Sequence, residues 1–251
     1  MAHTFTLLLV DNHEDCDART RQRRLMGFCE SVDAYNARLI SHGKTLSYRI
    51  VKFSDLGNPE IQAQLWAADG IVLSGSGISI SRLESDPDLM AAFLPQLEVI
   101  RSGQIPVLGV CFGHQLIGYA FGCKIVDCVV RESAIMPVEV FRESDLVRQG
   151  SITVEVHHQR EVLCDDVFYR HFVVQGSTEA CKAQIMKHKD LPLYGVQFHP
   201  ESLNSRARTD GMAILHAFFD LVVFRTMPIA AAETAAVTQL EEISVDEYAR
   251  E

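Results

Sequence analysis

The 251-residue sequence predicts an α/β fold: a central, mostly parallel sheet flanked by helices and extended by antiparallel strands. Three observations carry that expectation. Short apolar runs at 5–10, 70–74 and 105–110 each end on a turn residue, the pattern of strands buried on both faces. Segments of helical character at 14–42, 59–68 and 86–102 alternate with those runs, as they do where helices cover a parallel sheet. After Gly122 the texture becomes β-rich, at 124–130, 134–141, 151–156, 170–175, 181–187 and 193–198, which suits antiparallel additions.

The first run, Phe5 to Val10, enters Asp11-Asn12; the second is Gly70-Ile-Val-Leu-Ser74 and the third Ile105-Pro-Val-Leu-Gly-Val110. In an open sheet of this kind ligands gather at the carboxyl ends of the strands, so these three turns are where a site belongs. Near the end, 207–225 carries Ala213, Ile214, Leu215, Ala217, Phe218, Leu221 and Val222 on one helical face, which reads as a closing helix. With no internal repeat and no flexible linker, 1–228 is expected to be one domain, and 229–251, poor in large apolar residues, a peripheral helix or frayed tail.

Composition narrows the function. At 47% hydrophobic residues the chain can bury a large core. Lys and Arg total 23 against 33 Asp and Glu, and the resulting charge of −10 argues against nucleic acid or anionic membranes as partners. The start lacks the basic region and cleavage site of a signal peptide, and no apolar stretch reaches the length of a membrane span. The seven cysteines have no CxxC spacing, so neither a disulfide framework nor a zinc site is expected. A cytoplasmic protein without a metal or other cofactor fits these features.

The chemistry-bearing pattern begins at Gly109-Val-Cys-Phe-Gly113, where a cysteine stands between two glycines after a strand and before the helix-like His114 to Phe121. This is a nucleophile-elbow arrangement. The central residue of such a turn is strained and the chain passes close to itself, so small neighbours are required. A helix N-terminus also offers the sulfur partial positive charge, which favours the thiolate. A buried structural cysteine is the ordinary alternative, and a nearby base is needed to decide.

That base is found at Leu193-Tyr-Gly-Val-Gln-Phe198, a further strand that runs into His199-Pro200-Glu201. A cysteine nucleophile needs an imidazole to move its proton and a third group to fix the imidazole's tautomer. His199 and Glu201 supply both, with Pro200 fixing the chain between them. His13, His114, His157 and His158 are rivals, but none combines a strand end with a carboxylate two residues on.

Pro106-Val-Leu-Gly-Val-Cys-Phe-Gly-His-Gln115 and Gly195-Val-Gln-Phe-His-Pro-Glu201 together resemble the two signatures of class I glutamine amidotransferases. The resemblance covers roughly residues 5 to 225 and implies a flavodoxin-like fold, a Cys111, His199 and Glu201 triad, and a γ-glutamyl thioester that yields glutamate and ammonia. It assigns the oxyanion donors to the backbone N–H groups of Ser76 and Phe112, and substrate contacts to Gly75, Gln115, His157, His158 and Gln159. Within the family, His157-His-Gln-Arg-Glu-Val162 and Tyr194 to Glu201 look most like the glutaminase part of GMP synthases. The implied partners are L-glutamine, or another γ-glutamyl compound, and a separate ATP-dependent synthetase that accepts ammonia, since Ser74-Gly-Ser-Gly77 lacks the lysine of a phosphate-binding loop.

The sequence departs from the family pattern in four places. Gly77 stands where the oxyanion loop usually has proline, His157 where Ser or Asn is common, and Arg160 at a position often acidic. The segment from Asp11 to Tyr48 is long and gathers Arg19, Arg21, Arg23 and Arg24, either a solvated helix face or a docking surface. Two further readings share the scaffold: a freestanding γ-glutamyl hydrolase, and a regulatory subunit that has lost turnover.

Overall fold

The computed structural model describes residues 3–14 and 18–224. In chain order the elements are β1 (His3–Asp11), α1 (Ala18–Leu39), β2 (Lys44–Lys52), α2 (Pro59–Trp66), β3 (Gly70–Leu73), α3 (Ile80–Ser85), α4 (Pro87–Ser102), β4 (Val107–Val110), α5 (Phe112–Ala120), β5 (Ile125–Val140), β6 (Gly150–Val162), α6 (Asp166–His171), β7 (Phe172–Ser177), β8 (Ile185–His188), β9 (Leu193–Val196) and α7 (Arg208–Phe224). The strands form one sheet in the order β2-β1-β3-β4-β9-β8-β7-β5-β6. The first five in that order are parallel, and β8, β7, β5 and β6 are antiparallel to their neighbours.

The continuous apolar runs have the physical cause that sequence suggested: each strand feeds two cores. Leu8 and Val10 of β1, Ile71 and Leu73 of β3 and Val107 of β4 pack on the side of α4 and α5, where Phe93, Leu97, Phe112 and Leu116 meet them. Leu7, Leu9, Val72, Leu108 and Val110 point the other way, onto Leu25, Phe28, Val32, Tyr35 and Leu39 of α1 and Leu215, Phe218 and Phe219 of α7. The α1 residues recur at alternating steps of three and four, so one helical stripe faces the sheet.

Several expected boundaries move. The strands expected at 124–130 and 134–141 are one strand, β5, interrupted by a bulge in which Cys128 to Arg131 face the single residue Gln159. The strand expected at 151–156 extends over Gly150–Val162, so His157, His158 and Gln159 belong to it. The piece at 170–175 starts inside α6, a short helix capped by the Asp165 side chain, which accepts from Val167 N and Phe168 N. The piece at 181–187 is strand only from Ile185.

Sequence reading missed α3 and β2. β2 is the sheet edge, with Leu46 and Val51 buried and Tyr48, Arg49 and Ile50 exposed, so it never shows the apolar run of an inner strand. The long first crossover is therefore a 22-residue helix followed by that edge strand. Within it, the side chains of Arg21, Arg23 and Arg24 lie outside the described residues, as does the expected C-terminal tail at 229–251.

Two glycines bring helices onto the segment that follows β9. A Cβ at Gly27 of α1 would stand 1.8 Å from the Glu201 carbonyl oxygen, and one at Gly211 of α7 would stand 2.3 Å from that of Pro200. Neither helix could approach so closely with a side chain there. Gly27→Ala is expected to lower stability by roughly 1–3 kcal/mol, the cost of forcing backbone apart in a packed region. Gly57→Ala, where nothing lies within 4 Å, should leave the urea midpoint unchanged; equal midpoints for the two variants would refute the clamp.

Candidate active site

Cys111 stands between β4 and α5 with φ 52° and ψ −101°, and is the one non-glycine residue of positive φ among the described residues. Such a conformation costs about 1–3 kcal/mol and persists where the surroundings enforce it. Here Cys111 N donates to Val196 O at 2.9 Å, tying the turn to β9, and Gln115 N donates to Cys111 O at 3.2 Å, starting the helix. The paired glycines are required sterically: a Cβ on Gly109 would lie 2.4 Å from Gly113 O, and one on Gly113 would lie 2.4 Å from Leu73 O.

β9 runs parallel to β4, with Gly109 opposite Gly195 and Val110 opposite Val196, so the chain beyond β9 emerges beside Cys111. His199 N donates to Glu155 O of β6 at 2.8 Å, and Ser202 Oγ donates to the Glu155 carboxylate. The His199 Nδ1 lies 2.9 Å from Glu201 Oε1, and the ring and the Cys111 side chain both border Gly75. Burial opposes the imidazolium, but the Glu201 charge and the hydrogen bonds to Cys111 and Glu201 outweigh it, holding the His199 pKa well above its ordinary value.

Opposite this pair, the turn after β3 brings in Gly75. A Cβ there would come within 3.1 Å of the His199 Cε1 and 3.5 Å of the Cys111 Cβ, so only glycine leaves the pair open on that side. Ser76 Oγ donates to Asn12 O at 2.6 Å and accepts from Ile78 N at 3.0 Å. Phe112 is the first residue of α5, where a backbone N–H has no acceptor within the helix.

The remaining expected residues separate by strand alternation. His157 and Gln159 are exposed on β6; the His157 Nδ1 is 2.8 Å from Ser133 Oγ and its carbonyl oxygen is 3.8 Å from the Cys111 sulfur. His158 points the opposite way and is buried, its Nε2 3.2 Å from Glu132 Oε2 and its Nδ1 3.3 Å from the Cys128 sulfur. Gln115 is buried, its Nε2 donating to Arg160 O at 2.8 Å and Gln197 Oε1 at 3.1 Å.

Cys128, His158 and Glu132 repeat the order of a nucleophile, a base and a carboxylate, yet their electrostatics differ from those at Cys111. Burial, then the carboxylates of Glu161, Glu132 and Asp127, push the Cys128 thiol up to about 11, and burial also lowers the His158 pKa despite Glu132. Cys128 and His158 therefore favour their neutral forms. His114, another rival, is fully buried behind Gly195 and its pKa is pushed down to about 3 by burial. His13 pairs with Asp11 at 2.8 Å.

Sequence reasoning missed Asn12, Gln96, Glu155 and Ser202, which hold the site's backbone and carry no motif. Asn12 alone had a signal, its place at the end of the first buried strand. Among the described residues no group of three or more His, Cys, Asp and Glu side chains is disposed to hold a metal, and no helix is long and apolar enough to cross a membrane.

Comparison with known proteins bears on the family and the fold. The glutamine-hydrolyzing GMP synthase subunit of Methanothermobacter thermautotrophicus is 34% identical over 129 residues, 50% of this chain and 65% of that protein, so the chain spans just under two thirds of this relative's length. That of Methanosphaera stadtmanae is 29% identical over 171 residues, covering 66% of this chain and 83% of its own. Among solved structures, a putative GMP synthase subunit from Thermoplasma acidophilum matches with a TM-score of 0.64 at 22% identity, over 96% of this chain and 99% of the other. A glutamine amidotransferase from Thermotoga maritima matches at 0.65 and 17%, over 89% and 100%. These two likenesses bear on the fold, whereas the model of the family described as Glutamine amidotransferase class-I matches residues 29–221. An elbow cysteine, a carboxylate-held histidine on the neighbouring strand and that match over most of the length lead to one conclusion: the chain belongs to the class-I glutamine amidotransferase family.

Proposed function

We propose that the chain hydrolyses the side-chain amide of L-glutamine, with Cys111 as nucleophile, His199 as proton carrier and Glu201 as its orienting carboxylate. The observation that carries this reading is the placement of His199, hydrogen-bonded to Glu201 and set beside Cys111 where both border Gly75. The Cys111 sulfur attacks the amide carbon, and the carbonyl electron pair moves onto oxygen, where the N–H groups of Ser76 and Phe112 receive it. His199 gives a proton to the amide nitrogen, the C–N bond breaks, and ammonia leaves a γ-glutamyl thioester. Water then attacks the thioester, His199 takes its proton, and the C–S bond breaks to give glutamate and free Cys111.

Gly75 leaves room for the substrate carbonyl between the loop and the cysteine. Gln115, held by Arg160 and Gln197, forms a fixed wall, and His157 and Gln159 line the exposed side of β6. His158 acts from behind, keeping that strand in register through Glu132. Relatives bear the name of a glutamine-hydrolyzing GMP synthase subunit, and on that likeness the ammonia passes to a separate ATP-dependent synthetase.

Two measurements test this. Purified protein should release glutamate and ammonia from L-glutamine, and Cys111→Ala should abolish the release; turnover that survives the substitution refutes the assignment. Rapid turnover by the chain alone on γ-glutamyl amides other than glutamine would move the reading to a freestanding γ-glutamyl hydrolase.

The second measurement concerns the raised His199 pKa. Its folded value lies above the unfolded one, so the pairing stabilises the fold below about pH 6.5 and that contribution is lost as pH rises through the folded pKa. Glu201→Gln removes the charge that opposes burial, so the His199 resonance should titrate at lower pH, and turnover should fall roughly 100-fold or more. The stability gap between the parent and Glu201→Gln should be widest in mild acid and close in alkali. An unmoved His199 titration would contradict the role given to Glu201.

A further inference from the structure

The loop from Ser74 to Gly77 is buried at Ser74 and Gly75, with Ser74 N donating to Val10 O at 3.1 Å, and opens outward through half-buried Ser76 to exposed Gly77. A Cβ at Gly77 would meet nothing within 4 Å. A glycine facing open space leaves the backbone free to adopt many conformations. Oxyanion donors stabilise charge only when they are aimed beforehand, so the loop's shape must be set from elsewhere.

Asn12 sets it. The residue follows β1, which is the neighbour of β3 in the sheet, at the point where the crossovers on either side turn to opposite faces. It is fully buried, and its hydrogen-bonding groups go to the loop or to one partner behind it. Asn12 N donates to Ser74 Oγ at 2.9 Å, and the side-chain Nδ2 donates to Ser74 O at 3.3 Å. Asn12 O accepts from Ser76 Oγ at 2.6 Å, and Asn12 Oδ1 accepts from Gln96 Nε2 at 2.9 Å. Ser74 Oγ in turn donates to Gly75 O at 3.0 Å. Three successive loop residues are thereby fastened to a single asparagine.

Gln96 of α4 fixes the orientation of that asparagine. It is fully buried and its Oε1 has no hydrogen-bond partner among the described residues. A half-satisfied buried amide is a poor device for stability, because a buried polar atom without a protein partner costs free energy. Its donated hydrogen bond does one specific thing: it assigns Asn12 Oδ1 as the acceptor and so turns Nδ2 toward Ser74 O.

We infer that Asn12, oriented by Gln96, is a positioning residue that holds the backbone of Ser74 to Ser76 in the shape needed to receive the oxyanion of the reacting amide. The inference rests on the glutaminase reading. Removing the constraint displaces a donor without touching cysteine, histidine or carboxylate, and a misplacement of about 1 Å costs on the order of 100-fold in rate.

The test uses Asn12→Asp, which keeps the acceptor for Gln96 but sets an oxygen against Ser74 O, and Gln96→Met, which keeps length and apolar packing. Both should lower kcat for glutamine roughly 10- to 100-fold. KM should stay near the parent value. Alkylation of the Cys111 peptide by iodoacetamide, followed by mass, forms a C–S bond as iodide leaves and builds no oxyanion, so it should proceed at the parent rate. Gln96→Met, which removes a half-satisfied amide, should also keep the melting midpoint of the parent. Unchanged kcat in both variants, or a fall in kcat and alkylation together in proportion to lost stability, would overturn the inference. If the parent itself makes no Cys111-dependent glutamate, the functional reading fails and the inference falls with it, a result distinct from an active parent with indifferent variants.

Discussion

Everything at this site depends on one backbone constraint, the left-handed turn at Cys111. It places the sulfur at the head of α5, above the carboxyl ends of β3, β4 and β9, and cannot exist unless the chain passes itself at Gly109 and Gly113 without side chains. The hydrogen bond from Cys111 N to Val196 O then makes the turn a joint between two strands. The strain of the turn, the parallel pairing of β4 with β9 and the arrival of His199 beside the sulfur are aspects of a single arrangement.

Electrostatics chooses which cysteine that arrangement serves. Two sets of Cys, His and Glu lie on neighbouring parts of the molecule, one at Cys111 and one at Cys128. Burial weighs against the charged histidine in both. At His199 the carboxylate and the cysteine together reverse that cost, whereas at His158 they do not, and the carboxylates around Cys128 keep its proton in place. Similar residue types in a similar order thus leave one histidine favouring its charged form and one its neutral form, and the neutral one braces a strand through Glu132.

The sequence made legible whatever depends on local pattern. Leu7 to Val10, Ile71 to Leu73 and Val107 to Val110 declare inner strands because both faces are buried, and the glycines around Cys111 declare a tight turn because sterics permits little else. β2 stayed hidden because an edge strand with one wet face carries no such run. α6 was hidden by its six residues, too few to show a helical period. Asn12 showed only as the end of a buried strand, and Gln96 and Glu155 not at all, since each acts through hydrogen bonds to residues far away in sequence and no spacing records a partner 62 or 84 residues distant.

The pairing of β4 with β9 also sets an order of assembly. Gly109 and Gly195 are opposite one another in the sheet, yet the whole of β5, β6, β7 and β8 lies between them in the chain. Contacts of such sequence separation form late, after the nearer ones have lowered the entropy of closing the loop. Cys111 is therefore synthesised before the strand that ties its turn, and before His199 and Glu201. A chain caught short of β9 lacks the acceptor for Cys111 N, so the strained turn is complete only once the last strand has joined the sheet.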